Sequence, residues 1–223
     1  MYFKQISIAG LGCNSYVLGC PGAGQAVVID PKRDVQDYLD ISRDEGMRIT
    51  HILETHVHAD HVSGSQELRS LTGADIHISE HAPVSYEHKK LTQGQIIEFG
   101  NVKLEVIYTP GHTPNAVSLL VTDKARSQNP WMILTGDLLF VGSIGRPDLA
   151  GEEILEEQIQ NLYSSLYEKL GNLPDYLEVY PAHGQGSLCG KGLSFKSSST
   201  LGFERLTQPV LQHKNFQDFY QEV

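Results

Sequence analysis

Four potential metal ligands lie within six positions of the segment ETHVHADHVSG, which spans residues 54–64. They are His56, His58, Asp60 and His61. In an extended chain, side chains two positions apart point to the same side, so the rings of His56 and His58 share one face. Imidazole and carboxylate groups are frequent ligands of transition metals. This density of ligand types predicts a metal centre rather than isolated structural histidines.

Three more groups of the same kind follow apolar runs later in the chain. His112 lies in TPGHTP, Asp137 in LTGDLLF and His183 in YPAHG, each beside glycine or proline. Each of these groups comes at the end of a predicted strand. Strand ends at one edge of a sheet meet in space, and functional residues concentrate on the loops there. The sequence therefore predicts that all seven side chains converge on one site.

Short β-branched runs alternate with amphipathic segments along the chain. RITHILETH, before the first cluster, predicts a buried strand, and QIIEFGNVKLEVIYTPGH predicts a hairpin followed by a loop. Residues 152–170 predict one long helix, because apolar side chains recur there every three or four positions. Strands alternate with helices and hairpins also occur, so we expect an α/β fold of two mixed sheets packed face to face with helices outside. No linker interrupts the pattern, so residues 1–223 are interpreted as a single domain.

Composition narrows the class of protein. The formal net charge of −10 at pH 7 disfavours binding to nucleic-acid phosphates and anionic membrane surfaces. No run of about 18 apolar residues predicts a membrane span, and the N-terminus predicts two strands instead of a signal peptide. Three cysteines argue against a disulfide framework and for a reducing compartment, which we take to be the cytoplasm. Cys13 and Cys20 are interpreted as small buried residues.

The ordered segments THVHADH, PGHT, TGD and PAH resemble the signature of the metallo-β-lactamase superfamily, over about residues 10–210. The resemblance implies a four-layer αβ/βα sandwich with the metal at one edge. HADHVSG, LLFVGSIGRPDLAG and YPAHGQGSLCGKGLS are similar to the persulfide dioxygenase branch, most of all to bacterial members that are often fused to rhodanese domains. This likeness implies oxidation of a thiol persulfide, such as glutathione persulfide, by O2 to sulfite and free thiol. It also implies a homodimer and a rhodanese partner.

Carried onto this sequence, the dioxygenase pattern makes His56, His112 and Asp137 the ligands of one Fe(II) per chain. Two imidazoles and one carboxylate form the facial triad of non-haem iron(II) oxygenases, which leaves positions open for the persulfide sulfur and O2. The other members of the signature would then orient the ligands by hydrogen bonds. These members are His58, Asp60, His61 and His183.

The alternative is a thioester hydrolase of the glyoxalase II type, with two Zn(II) ions that generate a hydroxide. The ligands of its first zinc would be His56, His58 and His112. The ligands of its second zinc would be Asp60, His61 and His183, with Asp137 bridging the two ions. Both ligand sets are intact in the sequence, so ligand identity leaves both metal stoichiometries open, while the finer motifs favour the dioxygenase.

Two further residues are candidates for the reaction itself. Arg146, in GRPDL, follows Asp137 on a glycine-rich loop. Its guanidinium either binds a substrate carboxylate or pairs with Asp148, and we favour the pair. Cys189, in GSLCGKG, either carries persulfide sulfur or is an ordinary loop cysteine. The neighbouring Lys191 and glycines form an electropositive setting that would lower the pKa of its thiol.

Overall fold

Two six-stranded sheets form the centre of the fold in the computed structural model, which describes residues 1–8, 10, 12–190 and 192–223. The first sheet contains, in spatial order, β1 (Tyr2–Ile8), β2 (Cys13–Cys20), β3 (Gln25–Ile29), β4 (Arg48–Leu53), β5 (Asp75–Ser79) and β6 (Lys89–Leu91). The second sheet contains, in spatial order, β7 (Ile96–Phe99), β8 (Val102–Tyr108), β9 (Val117–Asp123), β10 (Met132–Gly136), β11 (Glu178–Pro181) and β12 (Ser199–Thr200).

Both sheets are mixed, as the sequence predicts. In the first sheet, β1 to β3 pair antiparallel and β3 to β6 pair parallel. In the second sheet, β10 and β11 pair parallel while the other neighbours are antiparallel. Parallel neighbours need a crossover, and helices supply it after β3 and β4. The central strands β2, β9 and β10 are buried on both faces, which explains their continuous apolar runs.

Five α-helices in the described residues cover the outer faces of the two sheets. They are α1 (Gln36–Asp44), α2 (Ser65–Thr72), α3 (Leu155–Tyr163), α4 (Leu201–Thr207) and α5 (Phe216–Glu222). One apolar core lies between the sheets. A second core lies between the first sheet and its helices, and a third lies between the other sheet and α3 to α5. The layers therefore run helix, sheet, sheet, helix, which confirms the four-layer αβ/βα sandwich.

Several elements differ from the sequence-based expectation. The helix expected over residues 152–170 is α-helical only from Leu155 to Tyr163 and continues as a π-helical turn over Ser164–Lys169. The strand in WMILTGDLLF ends at Gly136, whose positive φ of 53° turns the chain. The short strands β6 and β12 are not predicted, because two or three residues carry no detectable period.

No helix among the described residues is long and apolar enough to cross a membrane.

Candidate metal centre

The ligand-bearing loops converge because four strands end at the same edge of the sandwich. The loop after β4 carries His56, and the loops after β8, β10 and β11 carry His112, Asp137 and His183. The start of β2 ties the two sheets together here, since Cys13 forms an isolated backbone bridge with His183. The structure thus gathers the signature residues at one site.

Three of these residues, hereafter the triad, bring their ligand atoms within 4.8 Å of one another: His56, His112 and Asp137. Asp137 Oδ2 lies 3.3 Å from His112 Nε2 and 3.7 Å from His56 Nε2. All three side chains are buried. The triad is the residue set that the dioxygenase resemblance implies for a single iron.

The hydrogen bonds around His56 leave Nε2 with a lone pair. Thr55 Oγ1 donates its only hydrogen to Asp30 Oδ2 at 2.8 Å. The same oxygen therefore accepts from His56 Nδ1, which lies 3.0 Å away. Burial, followed by the charge of His58, lowers the pKa of His56 to about 3. The ring is neutral at neutral pH, and its Nε2 can bind a cation.

His112 is oriented in the same way by a backbone group. Its Nδ1 lies 2.9 Å from the carbonyl oxygen of Arg146, which can only accept, so Nδ1 carries the hydrogen. Burial lowers the pKa of His112, but Cys189, Asp137 and the Arg146 carbonyl outweigh burial and raise it above its ordinary value. A hydrogen bond from Nδ1 to a fixed acceptor is typical of histidines that bind metals through Nε2.

Asp137 supplies the observation that tests whether a metal fits. Its Oδ1 accepts from His183 Nδ1 at 2.6 Å, whereas its Oδ2 is buried and makes no hydrogen bond among the described residues. Burial raises the pKa of Asp137, but His183 and His56 outweigh burial and hold it below its ordinary value. A buried, ionised oxygen without a partner is costly unless a cation neutralises it. Two imidazole nitrogens and this oxygen therefore fit one transition-metal ion.

The other four residues of the signature, hereafter the quartet, are His58, Asp60, His61 and His183. His183 lies between two carboxylates, with Nδ1 2.6 Å from Asp137 Oδ1 and Nε2 2.7 Å from Asp60 Oδ2. Burial lowers the pKa of His183, but the two carboxylates outweigh burial and raise it far above its ordinary value. Both nitrogens then carry hydrogens, so this imidazolium has no lone pair for a metal.

Asp60 is the acceptor that links three neighbours. Its Oδ2 accepts from His183 Nε2 and, at 3.0 Å, from Cys13 Sγ, while its Oδ1 accepts from His61 Nδ1 at 3.2 Å. Burial lowers the pKa of His61, but the contacts with Asp60 and Cys13 outweigh burial and raise it to about 9. Cys13 is buried as predicted, yet its thiol lies in the site rather than only filling the core.

His58 points its Nε2 toward two acidic residues that the motif analysis does not include. Nε2 lies 3.0 Å from Asp30 Oδ1 and 3.4 Å from Glu54 Oε2. Burial lowers the pKa of His58, but Asp30 and Glu54 outweigh burial and raise it well above its ordinary value. His58 therefore serves as a hydrogen-bond donor here.

The two ligand sets of the binuclear alternative are not gathered as sets. Among the described residues, the groups of three ligand atoms that could hold an ion unite neither His56, His58 and His112 nor Asp60, His61 and His183. His58 joins Asp60 and His61 in one such group, and His183 joins Asp60 and Cys13 in another. The single-metal set of His56, His112 and Asp137 does form one such group.

Arg146 contacts the centre through its backbone, while its side chain points along the loop. Its guanidinium binds Asp148 through Nε at 3.0 Å and Nη2 at 2.5 Å, which is the pairing that the sequence analysis favours. Nη1 also donates to the carbonyl of Leu188 at 3.4 Å, and the amide of Arg146 donates to the carbonyl of Cys189 at 3.2 Å. Arg146 thus joins the loop of His112 to the loop of Cys189.

Cys189 lies against the centre, with its sulfur within 4.8 Å of ligand atoms of Asp137 and His183. Burial raises the pKa of its thiol, but the neighbouring His112 and His183 outweigh burial and hold it below its ordinary value. The sequence predicts a lowered thiol pKa because of Lys191, which lies outside the described residues. The cause in the structure is the pair of histidines.

Sequence reasoning missed four residues that support the centre: Cys13, Asp30, Glu54 and Thr55. Asp30 accepts from the Thr55 amide at 2.7 Å and from the Thr55 hydroxyl, so it fixes His56 indirectly and His58 directly. Asp30 follows the apolar run VVI at a strand end, the same signal that identifies Asp137. That signal, applied to the earlier strand, would have found it.

The comparisons with known proteins agree with this geometry. A family model described as the metallo-beta-lactamase superfamily matches residues 8–183. The mitochondrial persulfide dioxygenase ETHE1 of Bos taurus is 32% identical over 202 residues, which cover 88% of this chain and 70% of that protein. A hydroxyacylglutathione hydrolase of Polaromonas sp. is also 32% identical, over 76% of this chain and 61% of that protein.

Two solved structures share the whole fold. A metallo-beta-lactamase from Staphylococcus aureus superposes with a TM-score of 0.92 at 37% identity, covering 99% of this chain and 67% of that chain. ETHE1 from Myxococcus xanthus superposes with a TM-score of 0.83 at 30% identity, covering 99% of this chain and 89% of that chain. The family resemblance read from the motifs is therefore confirmed.

Proposed function

The chain belongs to the metallo-β-lactamase superfamily, and from this premise we propose that it is a non-haem iron(II) persulfide dioxygenase. The observation that carries the proposal is made at Asp137. Its Oδ2 has no hydrogen-bond partner among the described residues and lies 3.3 Å from His112 Nε2 and 3.7 Å from His56 Nε2. This arrangement offers one metal site with a two-histidine, one-carboxylate ligand set, which is the set of non-haem iron oxygenases. Similarity to persulfide dioxygenases over most of the chain supports the same assignment.

In this proposal His56, His112 and Asp137 hold one Fe(II) per chain. Iron in this position supplies the one-electron chemistry that O2 requires. The quartet fixes the ligands: His183 holds Asp137 in place through Nδ1, and Asp60 fixes His183 from its other side. Cys189 receives or delivers persulfide sulfur at the centre, since its thiol contacts two histidines of the site. Arg146 fixes the substrate-facing loop.

The substrate that we propose is a thiol persulfide such as glutathione persulfide. One persulfide, one O2 and one water give one thiol, one sulfite and two protons. The S–S bond breaks, the terminal sulfur is oxidised by four electrons, and O2 is reduced by the same four. Holding both reactants at one centre replaces a rare encounter in solution by a local reaction.

The binuclear thioester hydrolase remains the second candidate because of one observation. His58 Nδ1 and His61 Nε2 are buried and make no hydrogen bond among the described residues, and ligand atoms of both residues lie within 4.8 Å of an Asp60 oxygen. Two Zn(II) ions bound through all seven signature residues would activate water for ester cleavage. The hydrolase relative of about the same identity supports this candidate.

We also propose the cellular setting. The protein acts in the cytoplasm as a single domain of residues 1–223 and assembles as a homodimer with a rhodanese as its sulfur-supplying partner. The single domain is supported by the apolar core that the two sheets share. Nucleic acid and membranes are not expected partners, given the net charge of −10.

The test combines metal content with O2 consumption. Protein purified without O2 is analysed for iron and zinc by mass spectrometry, then mixed with glutathione persulfide in an oxygen electrode. The proposal expects about one iron per chain, O2 uptake and equal release of sulfite. Two zinc ions per chain, no O2 uptake and cleavage of S-lactoylglutathione would establish the hydrolase instead.

A further inference from the structure

The loop that carries His112 is fixed by a row of helix side chains that the proposed reaction does not use. Helix α3 and the π-helical turn after it run along this loop. Ser165 Oγ donates to the carbonyl of Pro110 at 2.7 Å, and Gln158 Nε2 donates to the carbonyl of Gly111 at 3.4 Å. Lys169 Nζ donates to the carbonyl of Tyr108 at 2.6 Å. Three carbonyls just before His112 thus accept from one helical segment.

The polar residues of this row are unusual for their position. Gln158 and Ser165 are both fully buried, at 0% exposure, on the side of the helix that otherwise packs apolar side chains. A buried polar side chain costs stability unless it forms a hydrogen bond, so packing alone would favour apolar residues here. Their amide and hydroxyl satisfy loop carbonyls that are themselves buried. The function of these buried polar side chains is therefore to hydrogen-bond the carbonyl groups of the loop.

Contact between helix and loop is also close at the backbone. Gly111 adopts a φ of +146°, and a Cβ there would lie 2.5 Å from Leu162 Cα. The π-helical turn begins two residues after Leu162, and the amide of Leu170 bonds to the carbonyl of Ser165 five residues earlier. Such turns are rare and frequently occur at functional sites.

We propose that Gln158, Ser165 and Lys169 are positioning residues of the metal centre, which fix His112 by holding the carbonyls of Tyr108, Pro110 and Gly111. The proposal rests on the role of His112 as a metal ligand in the proposed function, but not on the reaction catalysed. His112 has its own hydrogen bond to Arg146, so its ring orientation is set there. The helical segment fixes the position of the backbone that leads into His112. Small displacements of a ligand backbone weaken a metal site, because bond lengths tolerate only about 0.2 Å.

The decisive variant is Ser165→Ala, with Ser164→Ala as its matched control. Ser164 is the preceding residue in the same turn, but its hydroxyl donates to the exposed Glu168 instead of to a loop carbonyl. Metal-free protein is titrated with Co(II) against a chromophoric chelator, which reports affinity without any turnover. Ser165→Ala is expected to weaken Co(II) binding by about tenfold or more, as supporting residues of metal sites do. Ser164→Ala is expected to leave it unchanged.

A second readout separates positioning from general loss of stability. Amide hydrogen exchange of the metal-free protein is followed in residues 108–116 and, for comparison, in residues 54–60 around His56. We expect Ser165→Ala to raise exchange in the first segment only, and Ser165→Thr, which restores a hydroxyl, to return both exchange and affinity toward the original values. If Ser165→Ala does not fold, Lys169→Met at the half-buried end of the row takes its place.

Wild-type Co(II) affinity together with wild-type exchange in residues 108–116 would overturn the proposal. The same result would leave the dioxygenase assignment untouched. Conversely, a protein that binds Co(II) but consumes no O2 with persulfide would contradict the proposed function, while the effect of Ser165→Ala on affinity would still support the positioning role.

Discussion

The triad and the quartet contain the same kinds of side chain, yet their polar atoms point to different partners. In the triad, Nδ1 of both histidines bonds to a neighbouring oxygen, and one oxygen of Asp137 makes no hydrogen bond within the described part of the chain. In the quartet, His183 donates to two carboxylates and His58 points to two more. The hydrogen-bond partners of a histidine, more than its presence in the motif, therefore determine whether it can bind a metal.

The electrostatic difference follows from the same contacts. Burial and the neighbouring His58 outweigh Asp137 and Asp30 and lower the pKa of His56 to about 3, so its ring is neutral. By contrast, against the effect of burial, Asp137 and Asp60 raise the pKa of His183, and Asp60 raises that of His61. A cationic imidazole cannot bind a metal until it loses a proton. In the metal-free protein, His183 is therefore a hydrogen-bond donor, whereas the neutral ring of His56 offers Nε2 to a cation.

The largest expected difference is in metal affinity, between a variant that lacks one histidine of the triad and a variant that lacks one histidine of the quartet. His56→Ala should lower metal affinity about 100-fold or more. Removing a ligand costs more affinity than removing a residue that only supports a ligand. His58→Ala should change that affinity by less than about tenfold, because His58 points toward Asp30 and Glu54. Metal per chain by mass spectrometry, before and after dialysis against a chelator, measures both. Equal losses in the two variants would show that both histidines are ligands and would favour the binuclear site.

A smaller effect is expected at Cys189, whose thiol contacts His112 of the triad and His183 of the quartet. Cys189→Ser should lower persulfide turnover about tenfold, equivalent to about 1.4 kcal/mol of barrier, with unchanged iron content. The reason is that a serine hydroxyl in contact with His112 and His183 cannot take up sulfur. Steady-state O2 uptake measures the change, and Cys20→Ala, which lies in the inter-sheet core, is the control. Full turnover in Cys189→Ser would remove this residue from the reaction.

The pH dependence of stability tests the ion pairs that His183 forms with Asp60 and Asp137. The pKa values of Asp60 and Asp137 are held below those of the unfolded chain, about 3.9. Their contribution to the stability of the folded protein is therefore present above about pH 4 and is lost as the pH falls toward their pKa values in the folded state. For each proton taken up, the unfolding equilibrium constant rises by up to about tenfold per pH unit. Buried His56 and His77, whose pKa values are lowered, also cost stability over this range, so the contribution of Asp60 is measured as a difference between two proteins. Urea unfolding of the metal-free original protein and of Asp60→Asn at pH 7 and pH 3.5 gives that difference.

Asp60→Asn should make the loss on acidification smaller, because one of the two carboxylates no longer titrates. A parallel decline of Asp60→Asn and the original protein would contradict the pairing of Asp60 with His183.

The smallest effect is expected at the exposed pair of the loop. Asp148→Asn should raise the KM for persulfide by no more than about fivefold, because an exposed ion pair contributes about 1 kcal/mol or less. The backbone contacts of Arg146, which hold His112 and Cys189, remain in this variant. Initial rates over a range of persulfide concentrations give KM and kcat separately. A large fall in kcat would instead indicate that the pair acts in the reaction.

The sequence was sufficient for the layers and for the residues that meet at the edge. Apolar β-branched runs and a dense ligand motif are local signals, so β4, β8 and the seven signature residues could be inferred from the sequence. The choice of His56, His112 and Asp137 among the seven comes from the family resemblance. The roles of Asp30 and Cys13 could not be inferred, because their contacts with His58 and Asp60 span 28 and 47 residues. The π-helical turn could not either, since an extra residue in one turn leaves an apolar pattern that still reads as an α-helix.

Close approach of the backbones at Gly145 limits how this site can be redesigned. A Cβ at this position would lie 1.8 Å from the carbonyl oxygen of Asp137 and 3.1 Å from His112 Cβ. Any library that randomises the loop between Gly142 and Asp148 should therefore return glycine at position 145 in every variant that retains metal. Substitutions have more freedom at the exposed Leu188, next to Cys189, where a new side chain meets solvent instead of ligand backbone.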